Sequence, residues 1–219
     1  MRKIVSLILM AMCVISMSLA QNSDLKAQIE ILEKKVKNEP ENEEYLLNLG
    51  ILYHSLAQEG NKEGVQKGEK VFKKLLDIDS KNAQAYCWYG SLLTLKGKYA
   101  SLPFNKVKFV NNGTKKMDKA VELAPDDIMV RMIRAQNSLG LPEFFQKLDV
   151  AINDFEHLLS LHKNKPTLFS KELLANIYFG LGIAWKGKDN LQKAEENWQK
   201  VIEIAPDSSE AKKAKELLH

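Results

Sequence analysis

The chain has 219 residues, 45% of them apolar and 27% charged, with 32 basic against 28 acidic side chains. That supplies a real core for one domain and excludes wholesale disorder, while a net charge of +4 is no polyanion-binding footprint. Only 11 Gly and 6 Pro exclude a collagen-like or linker-dominated chain and favour long, uninterrupted helices.

Arg2 and Lys3 lead into an apolar run from Ile4 to Leu19 that only serines interrupt. Ser18-Leu19-Ala20 puts small residues where a signal peptidase reads, and polar Gln21-Asn22-Ser23-Asp24 follows. Residues 1–20 are therefore expected to be a secretory signal peptide, cleaved after Ala20. The alternative is an uncleaved membrane anchor, because the run is near the lower length limit for crossing a bilayer. Cys13 follows Met10-Ala11-Met12, which lacks the small residue that a lipoprotein site wants just before its cysteine. Cleavage would remove Arg2, Lys3 and Cys13, lowering the net charge to +2 and leaving Cys87 as the sole thiol. Cys87 is then expected to be a small buried hydrophobe, with no internal disulfide to form. Export predicts a periplasmic, cell-envelope or extracellular location.

Residues 21–219 are expected to form a single helical domain. Leu25, Ile29, Leu32 and Val36 make an apolar stripe on a helix over 23–38, which Asn22 or Ser23 would cap and Pro40 would close. Beyond it the sequence repeats. Leu46, Leu49, Gly50 and Tyr53 share their spacing with Tyr86, Tyr89, Gly90 and Leu93, and with Tyr178, Leu181, Gly182 and Trp185. The spacing sets large residues on one helical face beside a glycine. A helical glycine costs about 1 kcal/mol against alanine, so its recurrence implies that another helix approaches closely there. After each such helix comes a small–large–apolar series: Gly68, Phe72, Leu75; Gly113, Met117, Ala120; Ala151, Phe155, Leu158; Ala194, Trp198, Val201. Ser80, Pro125 and Pro206 punctuate the ends. Each unit is thus helix, loop, helix, turn, and can bury its faces only by stacking on a neighbour. The units run over about 43–80, 83–125, 128–163 and 175–207. A polar, lysine-rich helix over 208–219 caps the far end, as 23–38 caps the near one, for ten helices in all.

This pattern resembles the tetratricopeptide repeat (TPR) family. The nearest unit is ANIYFGLGIAWKGKDNLQKAEENWQKVIEIAPD, where Tyr178, Leu181, Gly182, Trp185, Ala194, Trp198, Val201 and Pro206 fall on the family spacing. The resemblance covers most of 43–207 and implies an all-α fold, a right-handed solenoid of antiparallel helix pairs. The other three units depart from the pattern by residues inserted between their two helices. The resemblance also implies a concave groove lined by Leu47, Ile51, His54, Cys87, Ser91, Met132, Gln136, Phe179 and Ile183. That set lacks the lysine, arginine and asparagine with which relatives grip a peptide's C-terminal carboxylate. Either an apolar helix or peptide enters this neutral groove, or the lengthened second helices fill it.

Two departures attract attention. Leu102-Pro103-Phe104 and Leu141-Pro142-Glu143-Phe144-Phe145 put proline where a helix could begin, so both second helices are expected to be extended. Phe104, Phe109, Phe144 and Phe145 either pack onto the repeats or form a partner-facing ridge. Arg131 and Arg134 stand where the other units carry large apolar residues. Either their stems pack while their heads meet Asp or Glu on neighbouring helices, or together they form an anion site. Catalysis finds no support: His54, His157, His162 and His219 lie apart, without metal-ligand spacing or a phosphate-binding glycine loop. No cofactor and no nucleic acid are expected, despite the lysines at 106, 108, 115, 116 and 119. The expected function is a non-catalytic scaffold for a protein or peptide partner, with peripheral membrane contact left open. The alternative is a carrier that encloses a small apolar ligand or lipid in the groove.

Overall fold

The computed structural model describes residues 24–218. The signal segment 1–20, Cys13, the capping residues Asn22 and Ser23, and His219 lie outside the described residues. Among these residues there are ten α-helices and no strand: α1 over 24–38, α2 Glu43–Gln58, α3 Lys62–Ile78, α4 Ala83–Tyr99, α5 Pro103–Leu123, α6 Ile128–Leu139, α7 Leu148–Asn164, α8 Lys171–Gly187, α9 Leu191–Ile204 and α10 Ser209–Leu218. They fall into two compact units, one through Ser80 and the other from Lys81.

The polar residues before each helix explain where it starts. Asn42, Asn82, Asp127 and Ser170 accept hydrogen bonds from backbone N–H groups three residues on, at the starts of α2, α4, α6 and α8. Each such bond satisfies a donor that the helix itself leaves unpaired. Asn61 and Asn190 do the same for α3 and α9. The two second helices without a side-chain cap, α5 and α7, are those preceded by the Leu-Pro insertions.

Within each pair the small residue marks the crossing. A Cβ built on Gly50 would collide with the Phe72 ring, and one on Gly182 with the Trp198 ring. On Gly90 it would stand 2.6 Å from the backbone oxygen of Gly113, so α4 and α5 meet backbone to backbone. In the pair α6–α7 the small residues are Ala135 and Ala151, both fully buried in one cluster with Phe155 and Leu158. The expected close approaches are all present. In the first unit, Ile29 of α1 packs with Leu49, Tyr53 and Leu56 of α2. In the second, α7 and α8 share a core of Ile152, Phe155, Leu158, Leu174 and Ile177, and α10 buries Ala211 and Ala214 against Ala194, Trp198 and Val201.

The insertions differ from each other. The first extends α5, which begins at Pro103 and runs for 21 residues. The second does not extend α7. Pro142 opens a 3-10 turn over Glu143–Phe145, and Gln146 then takes a left-handed conformation at φ 52°, which stops that turn before α7 begins at Leu148. Another 3-10 turn, Pro166–Leu168, precedes α8, which starts at Lys171, four residues ahead of the expected unit boundary at Ala175. Gly90→Ala should cost about 1–3 kcal/mol, because the opposing atom is backbone and cannot rotate away. Gly140→Ala, with nothing nearer than 3.5 Å, should leave the unfolding midpoint almost unchanged. Thermal melts of the two variants check this contrast.

Candidate partner-binding surface

The groove expected from the sequence is largely a stacking face in the second unit. Cys87 is fully buried, and its thiol donates to the backbone oxygen of Val130 on α6 at 3.3 Å. Burial pushes that thiol's pKa up, which leaves it unreactive. Ser91 is buried as well: Asn137 of α6 donates to its hydroxyl at 3.2 Å and to that of Thr94 at 2.8 Å. Met132 of α6 joins the cluster containing Ile177 and Leu181 of α8. Phe179 and Ile183 of α8 are half-buried against Ala211 and Ala214 of α10, and Lys213 lies 5.9 Å over the Phe179 ring. In the second unit the face of each first helix is therefore covered by the next helix in the series. Cys87, Ser91 and Met132 are closed to a partner, because close approach of consecutive first helices needs those positions for packing.

What stays open is a strip on α6 and α8. Met129 is 49% exposed and Gln136 is exposed, while Asn176 and the edges of Phe179 and Ile183 are half-buried. In the first unit Leu47 and Ile51 are half-buried, and His54 is only 3% exposed. Burial lowers the His54 imidazole to about 4, so it is neutral near pH 7. Its neighbour in sequence, Tyr53, donates its hydroxyl to Glu33 of α1, and Lys67 of α3 bonds the same carboxylate at 3.2 Å. The Tyr53 hydroxyl and the lysine hold Glu33 below the usual carboxylate range. These three side chains join α1, α2 and α3.

Arg131 and Arg134 find their anion inside the protein. Both reach Asp154 of α7, which has no exposed surface, at 2.7 Å, and Arg134 grips it with Nε and Nη2 together. Arg134 Nη1 also meets Asp118 of α5 at 3.0 Å, and Arg131 Nε donates to the Pro125 carbonyl at 2.6 Å. An external anion site at this pair is thereby corrected: the guanidiniums tie α5, α6 and α7 together. Sequence reading missed Asp154, although an acid three residues after Ala151 and beside Phe155 stands on an apolar stripe, where charge needs a partner.

The aromatic residues divide. Phe104 is 77% exposed and Phe144 69% exposed, with the Phe144 and Phe145 rings 4.2 Å apart. Phe109 is half-buried beneath Lys96, 4.8 Å from its ring. The histidines are not gathered: His157 bonds Asp126 at 2.8 Å, and His162 stands edge-on to Phe169. No group of three or more metal-ligating side chains occurs among the described residues.

Comparison with known proteins places these features. A family model described as "Regulator of microtubule dynamics protein 1-3" matches residues 15–135, ending inside α6. No curated protein matches the sequence. A thermophilic TPR protein of Thermus thermophilus superposes with a TM-score of 0.70 at 15% identity, over 92% of this chain and 94% of that one. MamA superposes at 0.55 with 22% identity, over 89% and 94%. A TPR protein from Parabacteroides merdae does so at 0.58 with 18% identity, over 91% of this chain and 65% of that one. The fold is that of tetratricopeptide repeats, all helical, as its likeness to solved TPR proteins establishes.

Two consequences can be measured. Asp154→Ala leaves two partly buried guanidiniums without their shared anion and should cost about 3 kcal/mol by denaturant melt, whereas removing Asp154 and both arginines together in favour of apolar residues should cost much less. For His54 the unfolded imidazole titrates near 6.5, so on acidification the unfolded chain takes up the proton first. Its contribution of about 3 kcal/mol is fully present above about pH 6.5 and is lost as pH falls toward about 4. His54→Leu should flatten the stability profile over that window.

Proposed function

Because the chain belongs to the regulator of microtubule dynamics protein 1-3 family, we propose that it is a non-catalytic scaffold that binds a protein or peptide partner. The family description names microtubule dynamics for its members; the scaffold role proposed here rests on the TPR fold. The match ends at residue 135, so most of the second unit, with α7 to α10, lies beyond it. On this reading the partner lies along the strip of Met129 and Gln136 on α6 and Asn176, Phe179 and Ile183 on α8. The observation that supports it is the half-exposed Met129 beside a sealed stacking face. An apolar side chain left open on a rigid support suits a helical or extended peptide, and methionine adapts to varied partners. The arginines on Asp154 hold α6 against α7, so the strip is presented without rearrangement.

The carrier alternative calls for enclosed apolar space near Met132 and Phe179. Instead Met132 packs into the core and Phe179 lies beneath α10, which favours the scaffold. The site of action we propose is the periplasm or cell envelope, on the strength of the basic start, apolar run and small-residue exit of residues 1–20.

A photo-crosslinking residue at 129 or 136 of the full chain tests the surface, with position 156, exposed on α7, as control. A discrete protein adduct from 129 and 136 but not from 156 is the expected result. Equal labelling at all three, or lipid co-purifying without any protein adduct, would overturn the scaffold reading.

A further inference from the structure

Between Asp79 and Asp118 the chain contains no acidic residue and seven lysines, although its overall charge is nearly balanced. This stretch holds α4 and α5 as far as Met117. Lacking carboxylates, several of its lysines lie over rings instead: Lys96 over Phe109 at 4.8 Å, Lys98 over Tyr99 at 5.9 Å and Lys116 over Tyr89 at 4.6 Å. Lys106 and Lys108, one turn into α5, are exposed and have no ion pair among the described residues.

The same turn carries Phe104, the most exposed large apolar side chain among the described residues, with two more beside it. Leu102 is 63% exposed, Phe104 77% and Val107 40%. Phe144 joins them at the same edge. Helices α4 and α6 run parallel and in register, because Gln84 near the start of α4 bonds Asp127 at the start of α6 and Asn137 near the end of α6 bonds Thr94 near the end of α4. The turn after α4 and the turn after α6 therefore leave the second unit on one side. That side presents protruding apolar tips backed by unpaired lysines.

We infer that this edge docks the protein onto an anionic lipid bilayer. Leu102, Phe104 and Phe144 enter the boundary between headgroups and acyl chains. The lysine stems at 106 and 108 lie along the apolar surface while their ammonium groups meet headgroup phosphates. The choice of occupant follows from charge and shape together. A polyanion such as duplex DNA would use the lysines but leave the apolar tips in water. A protruding turn also enters a fluid interface without needing a matching concavity. This edge shares no residue with the proposed partner strip, so bilayer docking and scaffolding can occur together.

The test uses the full chain carrying Phe104→Trp, with the unsubstituted chain supplying the background from Trp88, Trp185 and Trp198. Vesicles contain phosphatidylcholine with about one third phosphatidylserine, with and without brominated acyl chains. Docking predicts a blue shift and bromine quenching from position 104 on the anionic vesicles, both much weaker on pure phosphatidylcholine and in high salt. Lys106→Gln with Lys108→Gln should lower partitioning about 30-fold, taking about fivefold per lysine. Phe104→Asp should abolish the docking, and its exposure means that circular dichroism should show an unchanged fold. If the chain floats with vesicles while position 104 stays unquenched, attachment lies elsewhere and the inference fails. Equal quenching on neutral vesicles, or a response at 104 to duplex DNA and none to vesicles, would also overturn it.

Discussion

Everything in this fold depends on how closely two helical backbones can approach. Stacked pairs bury their apolar faces only if one position per crossing has almost no side chain, and the four pairs meet that constraint in different ways. Two admit an aromatic ring, Phe72 over Gly50 and Trp198 over Gly182; one brings the backbones of Gly90 and Gly113 together; one uses Ala135 and Ala151. The loss of helix propensity at these glycines is offset by burying a Phe or Trp nearly or fully, worth about 1.5–3 kcal/mol for a Phe. Stability therefore sits in crossings rather than in single helices, and the loops between helices are free to differ.

Charge is handled by two contrasting devices. Between α5, α6 and α7, two arginines converge on the buried Asp154, which specifies how those helices sit while contributing little net stability relative to apolar packing. From α4 through residue 117 of α5 there is no acid, and lysines there lie over ring faces. Cation–π contacts of that kind are worth about 0.5–1 kcal/mol at exposed sites and hold the lysine stems without neutralising them. The first arrangement buries its shared carboxylate; the second leaves a lysine-rich stretch with a positive field.

The repeat spacing made the helix pairs legible, because Gly at one position and an aromatic sixteen or twenty-two residues later is a pattern that only close packing explains (Gly182 with Trp198, Gly50 with Phe72). The first insertion was legible for the same reason, since Pro103 can only begin a helix in that setting. The second was not: Pro142 looks the same in sequence, but the φ of 52° at Gln146 that breaks the run is a property of backbone geometry without a glycine to announce it. The surface was least legible. Whether Cys87 or Ser91 faces a groove depends on how far the next first helix closes over it, and that distance is set by residues such as Val130 and Asn137 forty or more positions away. Asp154 hid for a related reason, since a buried acid makes sense only once Arg131 and Arg134 are seen across the crossing.

Helix α8 carries two glycines two residues apart that serve different neighbours. Gly182 receives Trp198 from α9, and Gly180 receives the Phe155 ring from α7. The helix is consequently keyed on both sides and can neither slide nor turn without withdrawing two rings. Unravelling that begins at α10 can detach α9 while Phe155 still holds α8 in place. To go further, the opening front must expose an entire aromatic core at once. The C-terminal end should therefore fray in a short reversible step and then stop at a helix that acts as a ratchet pawl for the rest of the unit.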